Sequence, residues 1–310
     1  GTGPFTLKTL AVASKCILVR ARDKDGRPHS YWGDPVYLDE IHYYHYDQDN
    51  QLAALATGEV DAIHAFNAEQ LEFAKSIKGT ILTAPTGRTL CCRMRIDKAP
   101  FDNKLLRTAL TLATNADEIV RLVFPAGGVR GENHHVAPLH PDYFPLPKQN
   151  RDLARARSLM KQAGYVNGLE LTISLGNTDG PWQQTLCEAL RNQWQDIGVR
   201  LNINVLPASK YWDIWKQAPL GATAWTHRPL GTMALSLAYR NGSPWNETGY
   251  NDPAFERLLD EAEAIADPQK RKHKMQQVEK HLQDAAIIIQ PVWRPEFTMT
   301  SHRVRGYEAH

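Results

Sequence analysis

The stretch from Pro100 to Pro138 constrains this chain more than any other. Leu105, Leu106, Ala109, Leu112 and Ala113 recur at helical spacing and form one apolar face. Asp102 stands just ahead of them, where a short carboxylate can accept from the open amides of a first helical turn. A second helix is expected over 116–124, with Ile119, Val120 and Val123 inward. Pro125 and the Gly127-Gly128 pair end it. The run that follows is polar and rich in Gly and His, and it carries neither period. Alone, this pattern specifies two packed helices and a loop.

Elsewhere strand and helix signals alternate. Strands are expected over 16–21, 41–46, 59–63, 89–96, 169–175, 200–206, 221–225 and 287–292. Helices are expected over 51–57, 67–76, 152–164, 182–197, 211–216, 255–264 and 267–283. Gly58 offers a left-handed helix cap. Asp252-Pro253 and Asp267-Pro268 each pair an N-cap with a proline at the first helical position. Strand–helix units in tandem specify an α/β fold.

The chain has 310 residues, enough for two domains with real cores. Its 36 basic and 34 acidic residues leave a net charge of +2, which gives no nucleic-acid surface. The basic run Lys270 to Lys274 reads as the solvated face of a helix. No apolar run approaches the roughly 20 residues of a membrane span. Cys16, Cys91, Cys92 and Cys187 show no metal-binding spacing and read as small buried hydrophobes. His42 and His45 fall on opposite faces of a strand. His134, His135 and His140 lack helical ligand spacing and a cysteine partner, so no metal is expected there.

Pro100-Phe101-Asp102, then Leu106-Arg107-Thr108-Ala109-Leu110, Ala113, Asp117, Ile119-Val120 and Gly127, resemble a block of the family 5 extracellular solute-binding proteins. These are the oligopeptide-, dipeptide- and nickel-binding components of ABC importers. Further blocks agree in order: 1–7, Tyr31-Trp32-Gly33 with Leu38–Ile41, 51–63, 152–164, 169–206, 245–264 and 304–307. The resemblance implies an α/β, two-lobed periplasmic-binding-protein-like fold of type II, cluster C, with an N-terminal portion of the family pattern missing. It places residues 1–100 plus 296–310 in the first lobe and 101–295 in the second. It also implies a periplasmic or lipid-anchored receptor, monomeric when complete and without a cofactor. Such a receptor captures a solute between two lobes and hands it to ABC permease subunits.

In peptide-binding relatives a Trp lies against the ligand and an Asp three residues on pairs with its α-amino group. Trp225 matches the first, but Arg228 stands at the Asp position. No acid lies between Trp225 and Asn246. Arg95 stands where the family usually has Asn, with Arg93 on the same face. Trp182 and Tyr211 fall where relatives present aromatics or His. The expected ligand-binding residues are therefore Trp225, His227, Arg228, Tyr211, Trp182 and Arg95. A guanidinium suits carboxylate or phosphate because it donates in a planar fork. The expected ligand is peptide-like, or a small anionic or polyhydroxylated solute, rather than a free-amine peptide. The alternative is a ligand-sensing module of a larger regulatory protein. A hydrolytic enzyme lacks support, because no nucleophile elbow, zinc-protease motif or phosphate-binding loop occurs in context.

Overall fold

The computed structural model describes residues 3–28 and 36–308, with the backbone alone at 48 and 49. Tyr31-Trp32-Gly33 lies outside the described residues. The chain divides into two compact units, one of Gly1–Leu82 with Phe297–Ala309 and one built on Thr83–Glu296.

In the smaller unit, β1 (Phe5–Ala11), β2 (Lys15–Arg20) and β3 (Glu40–Tyr44) form an antiparallel sheet in that order. The turn after β2 is an Asp turn, in which Asp23 Oδ1 accepts from the amides of Asp25 and Arg27. Helix α1 (Gln48–Thr57) ends at Gly58, whose φ of 77° is the left-handed cap read from the sequence. β4 (Ala62–Phe66) and α2 (Leu71–Ser76) follow.

The larger unit holds the bulk of the core. It contains β5 (Gly79–Met94, from Thr83 on), α3 (Lys104–Ala113), α4 (Ala116–Val123), β6 (Val129–Arg130), α5 (Leu153–Gln162) and β7 (Leu169–Leu175). Next come α6 (Trp182–Trp194), β8 (Val199–Val205), α7 (Ala208–Ile214), β9 (Leu220–Trp225), α8 (Gly231–Tyr239), α9 (Pro253–Glu263), α10 (Pro268–Ala285) and β10 (Ile288–Ser301). Its strands run in the order β10-β5-β9-β7-β8, with β6 also on β10. β7 is parallel to both β8 and β9, whereas β5 meets β9 antiparallel, with Thr89 opposite Trp225 and Met94 opposite Leu220. From Phe297 onward β10 belongs to the smaller unit and pairs with β4 there. Arg303 then bonds Asp61 at 2.7 Å.

The caps fall where the acids and amides stand. Asp152, Asp252 and Asp267 each accept from an amide of the following turn. One expectation is corrected: Asn103, not Asp102, caps α3, accepting from the amide of Leu105 at 2.9 Å. The inward face shifts with it. Leu106, Ala109, Leu110 and Ala113 are buried, and Leu105 is exposed. Arg107 is buried too, its guanidinium bonding the carbonyls of Phe101, Ala285 and Ala286. The run 270–274 is likewise not all solvated. Arg271 is buried on the carbonyls of Ala262 and Ile265 and against Asp142 at 3.3 Å. No helix among the described residues is long and apolar enough to cross a membrane.

Candidate functional site

β9 delivers Trp225 to the carboxyl end of the parallel strands, where open α/β sheets present their ligand sites. Trp225 is buried, and its indole N–H donates to Glu247 Oε1 at 2.8 Å. Its ring packs on His135 with centroids 4.7 Å apart and edge-on to Trp245 at 5.7 Å. The half-exposed Trp245 in turn carries the Arg228 guanidinium over its face at 5.4 Å. Arg228 also donates to Thr226 Oγ1 and to the carbonyl of His227. It has no acidic partner among the described residues.

Loop 131–147 packs beneath these residues. His140 Nδ1 accepts from the amide of Ala137, so the ring carries its proton on Nε2 and donates it to the carbonyl of Arg228 at 2.9 Å. Burial pushes the His140 imidazole down to about 4 and that of His135 to about 3. Both are neutral at physiological pH. His227 Nδ1 accepts from the amide of Gly87 at 3.1 Å, and burial, with Arg228 beside it, lowers its proton affinity. Asp142 Oδ1 accepts from the amide of Gly231 and so caps α8. Of the three loop histidines, His135 packs on Trp225, His140 bonds the Arg228 carbonyl and His134 Nδ1 accepts from the amide of Val136.

The other expected residues lie apart. Tyr211 is fully buried, its hydroxyl bonded to the carbonyl of Ala222 and to Thr223 Oγ1. Arg95 pairs with Asp97 and bonds the carbonyl of Lys216. It sits at the opposite end of β9 from Arg228, roughly 20 Å away along the strand. Trp182 is buried at the start of α6, with Arg294 stacked on its ring at 5.0 Å.

Two features escaped the sequence reading. Glu247 is a buried acid just beyond the window that holds none. Its second oxygen accepts from Thr223 Oγ1 at 2.8 Å, and Arg93 Nε lies 3.7 Å away. The other is a chain of ion pairs running Glu296–Arg88–Asp179–Arg294, in which Arg88 and Asp179 are 4.0 Å apart. Arg88 directly follows Gly87, so the charge chain and the His227–Arg228 group flank neighbouring residues of β5.

The model of the bacterial extracellular solute-binding proteins, family 5 middle region, matches residues 1–247. The chain belongs to this family. Heme-binding protein A of Haemophilus influenzae is 25% identical over 321 residues, covering 99% of this chain and 57% of that protein. The dipeptide-binding protein of Escherichia coli K12 is 25% identical over 322 residues, covering 99% and 58%. The chain therefore spans a little under three fifths of those relatives' length. The solved structure of NikZ from Campylobacter jejuni in complex with Ni(L-His) superposes with a TM-score of 0.84 at 16% identity, over 99% of this chain and 64% of that one. These names span ligands of unlike chemistry, so family 5 membership fixes the scaffold and leaves ligand choice to local residues.

Proposed function

We propose that this family 5 chain is the solute-capturing part of a receptor for an ABC importer, and that it takes a peptide-like or small anionic solute with an apolar face. The receptor works outside the cytoplasm and delivers its ligand to permease subunits. Arg228 carries this reading: a guanidinium lies on Trp245 beside Trp225, with no carboxylate among the described residues paired to it. A ligand carboxylate there meets a charge-assisted fork and an aromatic wall. A free ammonium meets a like charge instead, which a poorly solvated site makes costly. The nearby acid, Glu247, is already bonded to Trp225 and Thr223.

The test is calorimetry on the intact protein with dipeptides and their N-acetylated counterparts. Binding should survive acetylation. Arg228→Ala should weaken it by about 10- to 100-fold, the worth of one hydrogen bond to a charged group. Binding that vanishes on acetylation and ignores Arg228→Ala would sink the reading.

A further inference from the structure

Three buried polar atoms without a hydrogen-bond partner converge in the larger unit: Glu132 Oε2, His134 Nε2 and Glu279 Oε2. They lie within 4.8 Å of one another. His134 and Glu279 have no exposed surface. His134 Nε2 is 3.4 Å from Glu132 Oε2 and 3.8 Å from Glu279 Oε2. The remaining polar atoms of the trio are committed. The Tyr143 hydroxyl donates to Glu132 Oε1 at 2.7 Å, and the amide of Phe144 donates to Glu279 Oε1 at 3.2 Å. The amide of Val136 donates to His134 Nδ1 at 3.2 Å.

Two carboxylates and an imidazole at this spacing suit either a metal ion or shared protons. The bond from Val136 decides between them. Nδ1 must offer a lone pair there, so the neutral ring carries its proton on Nε2, aimed at the carboxylates. A metal needs the opposite arrangement, a lone pair on Nε2 and a donor on Nδ1. Protons therefore fill the gap. Two carboxyl groups this close, cut off from water, cannot both ionise. Glu279 is the one held neutral. Burial, with the charges of Glu132 and Asp142 added and the Phe144 amide opposing, lifts its carboxyl to about 9.

The trio joins two elements. Glu279 is on α10, and Glu132 and His134 are on the loop that follows β6. Gln283 adds a bond from α10 to the carbonyl of Glu132 at 3.0 Å. The same loop carries His135, stacked on Trp225, and His140, bonded to the carbonyl of Arg228. We infer that Glu132, His134 and Glu279 are positioning residues, sharing protons in a clamp that fixes this loop on α10 and so holds Trp225 and Arg228 in place. The inference rests on the proposed function only for what the clamp serves. The charged and titratable groups around it are His135, His140, Asp142 and Tyr143 from the loop and Arg271 from α10, the last paired with Asp142.

The experiment needs no ligand. Amide hydrogen exchange is compared in wild type, Glu279→Gln and Glu279→Ala, alongside urea unfolding from pH 6.5 to 9.5 and dialysis against Zn²⁺. The glutamine keeps a neutral donor of the same shape and should protect the amides of Val136 and Ala137 as wild type does. The alanine should speed their exchange, and that of 225–228, by about tenfold or more. Above its ordinary range and below about 9, the folded Glu279 keeps a proton that the unfolded chain has released. Wild type should therefore lose up to about tenfold in folding equilibrium per pH unit relative to Glu279→Gln from pH 6.5 to about 9, and level off above it. If Glu279→Ala does not fold, this pH comparison still decides. Parallel pH profiles in wild type and Glu279→Gln, or stoichiometric Zn²⁺ retained through dialysis by wild type and lost in Glu279→Gln, would overturn the clamp.

Discussion

The indole of Trp225 is tied to Glu247 by a 2.8 Å bond, and both residues are buried. The bond sets which edge of the ring faces the protein. With its N–H spent inward, Trp225 has only its apolar edges for His135 and Trp245. Burial holds the Glu247 carboxyl above its usual range, while Arg93 and the bonds from Trp225 and Thr223 oppose it. The nearby acid therefore braces the Trp225 ring and has both its oxygens engaged within the protein.

Glu247→Ala should cost about 3–5 kcal/mol, because it strands the Arg93 charge and two donors in the core. Arg93 has no exposed side-chain surface from which to reach water. Urea unfolding should show a lower midpoint with an unchanged slope. A loss below about 1 kcal/mol would mean that water replaces the carboxylate.

Local chemistry made much of the fold legible. Asp152, Asp252, Asp267 and Gly58 cap helices where short-range rules place them. The strand–helix alternation carries the α/β layering. Contacts set by tertiary structure were not legible. Asp102 and Asn103 are both good caps, and the sequence does not choose between them; the helix begins at Lys104, which puts Asn103 at the cap. Tyr211 falls where relatives present an aromatic or His, a match taken from the resemblance alone, and packing turns its hydroxyl to Ala222 and Thr223. Arg228 stood out only through the resemblance, as a cation where peptide-binding relatives carry an acid. The acid that braces Trp225 lies 22 residues further on, and no periodicity links the two. Arg88, Asp179, Arg294 and Glu296 come from separate strands and a loop, and only the sheet order brings them together.

Acid should weaken the fold through the loop histidines. Burial keeps His135 and His140 neutral in the folded chain down to about 3 and about 4. The unfolded chain takes up these protons near the ordinary imidazole value of about 6.5. The unfolded state thus binds more protons as pH falls below about 6.5, and stability drops by up to about 1.4 kcal/mol per pH unit for each histidine. The stabilising contribution is fully present above about 6.5. Urea midpoints at pH 7, 6 and 5 check this, and a His140→Asn variant should show a shallower decline. The comparison with His140→Asn cancels Glu279, whose raised carboxyl adds stability as pH falls over the same range; parallel declines in the two proteins would show that the His140 ring gains its proton without leaving its partners.

The last prediction separates damage to the site from damage to the fold, using two glycines. A Cβ on Gly87 would stand 2.9 Å from His227 Nδ1 and 3.1 Å from His140 Nε2. Both are side-chain ring atoms rather than backbone, but His140 is buried and bonded at both nitrogens, so relief comes mostly from His227. The amide bond from Gly87 to His227 would weaken, and His140 would lose its grip on the Arg228 carbonyl. A Cβ on Gly131 would stand 2.1 Å from the backbone oxygen of Gln290, which the pairing of β6 with β10 holds in place. Neither glycine has a positive φ, so crowding alone distinguishes them. Gly131→Ala should lower stability by about 1–3 kcal/mol or more. Gly87→Ala should cost about 1–2 kcal/mol, through the hydrogen bonds of His227 and His140 that it weakens, less than a clash with fixed backbone, yet weaken binding of an N-acetylated dipeptide wherever Arg228→Ala weakens it. Denaturation and calorimetry on the two variants read these separately. Equal losses of stability in both would show that the His227–His140 contact is as rigid as the strand backbone, and that the Arg228 end is fixed by the core rather than by its two histidines.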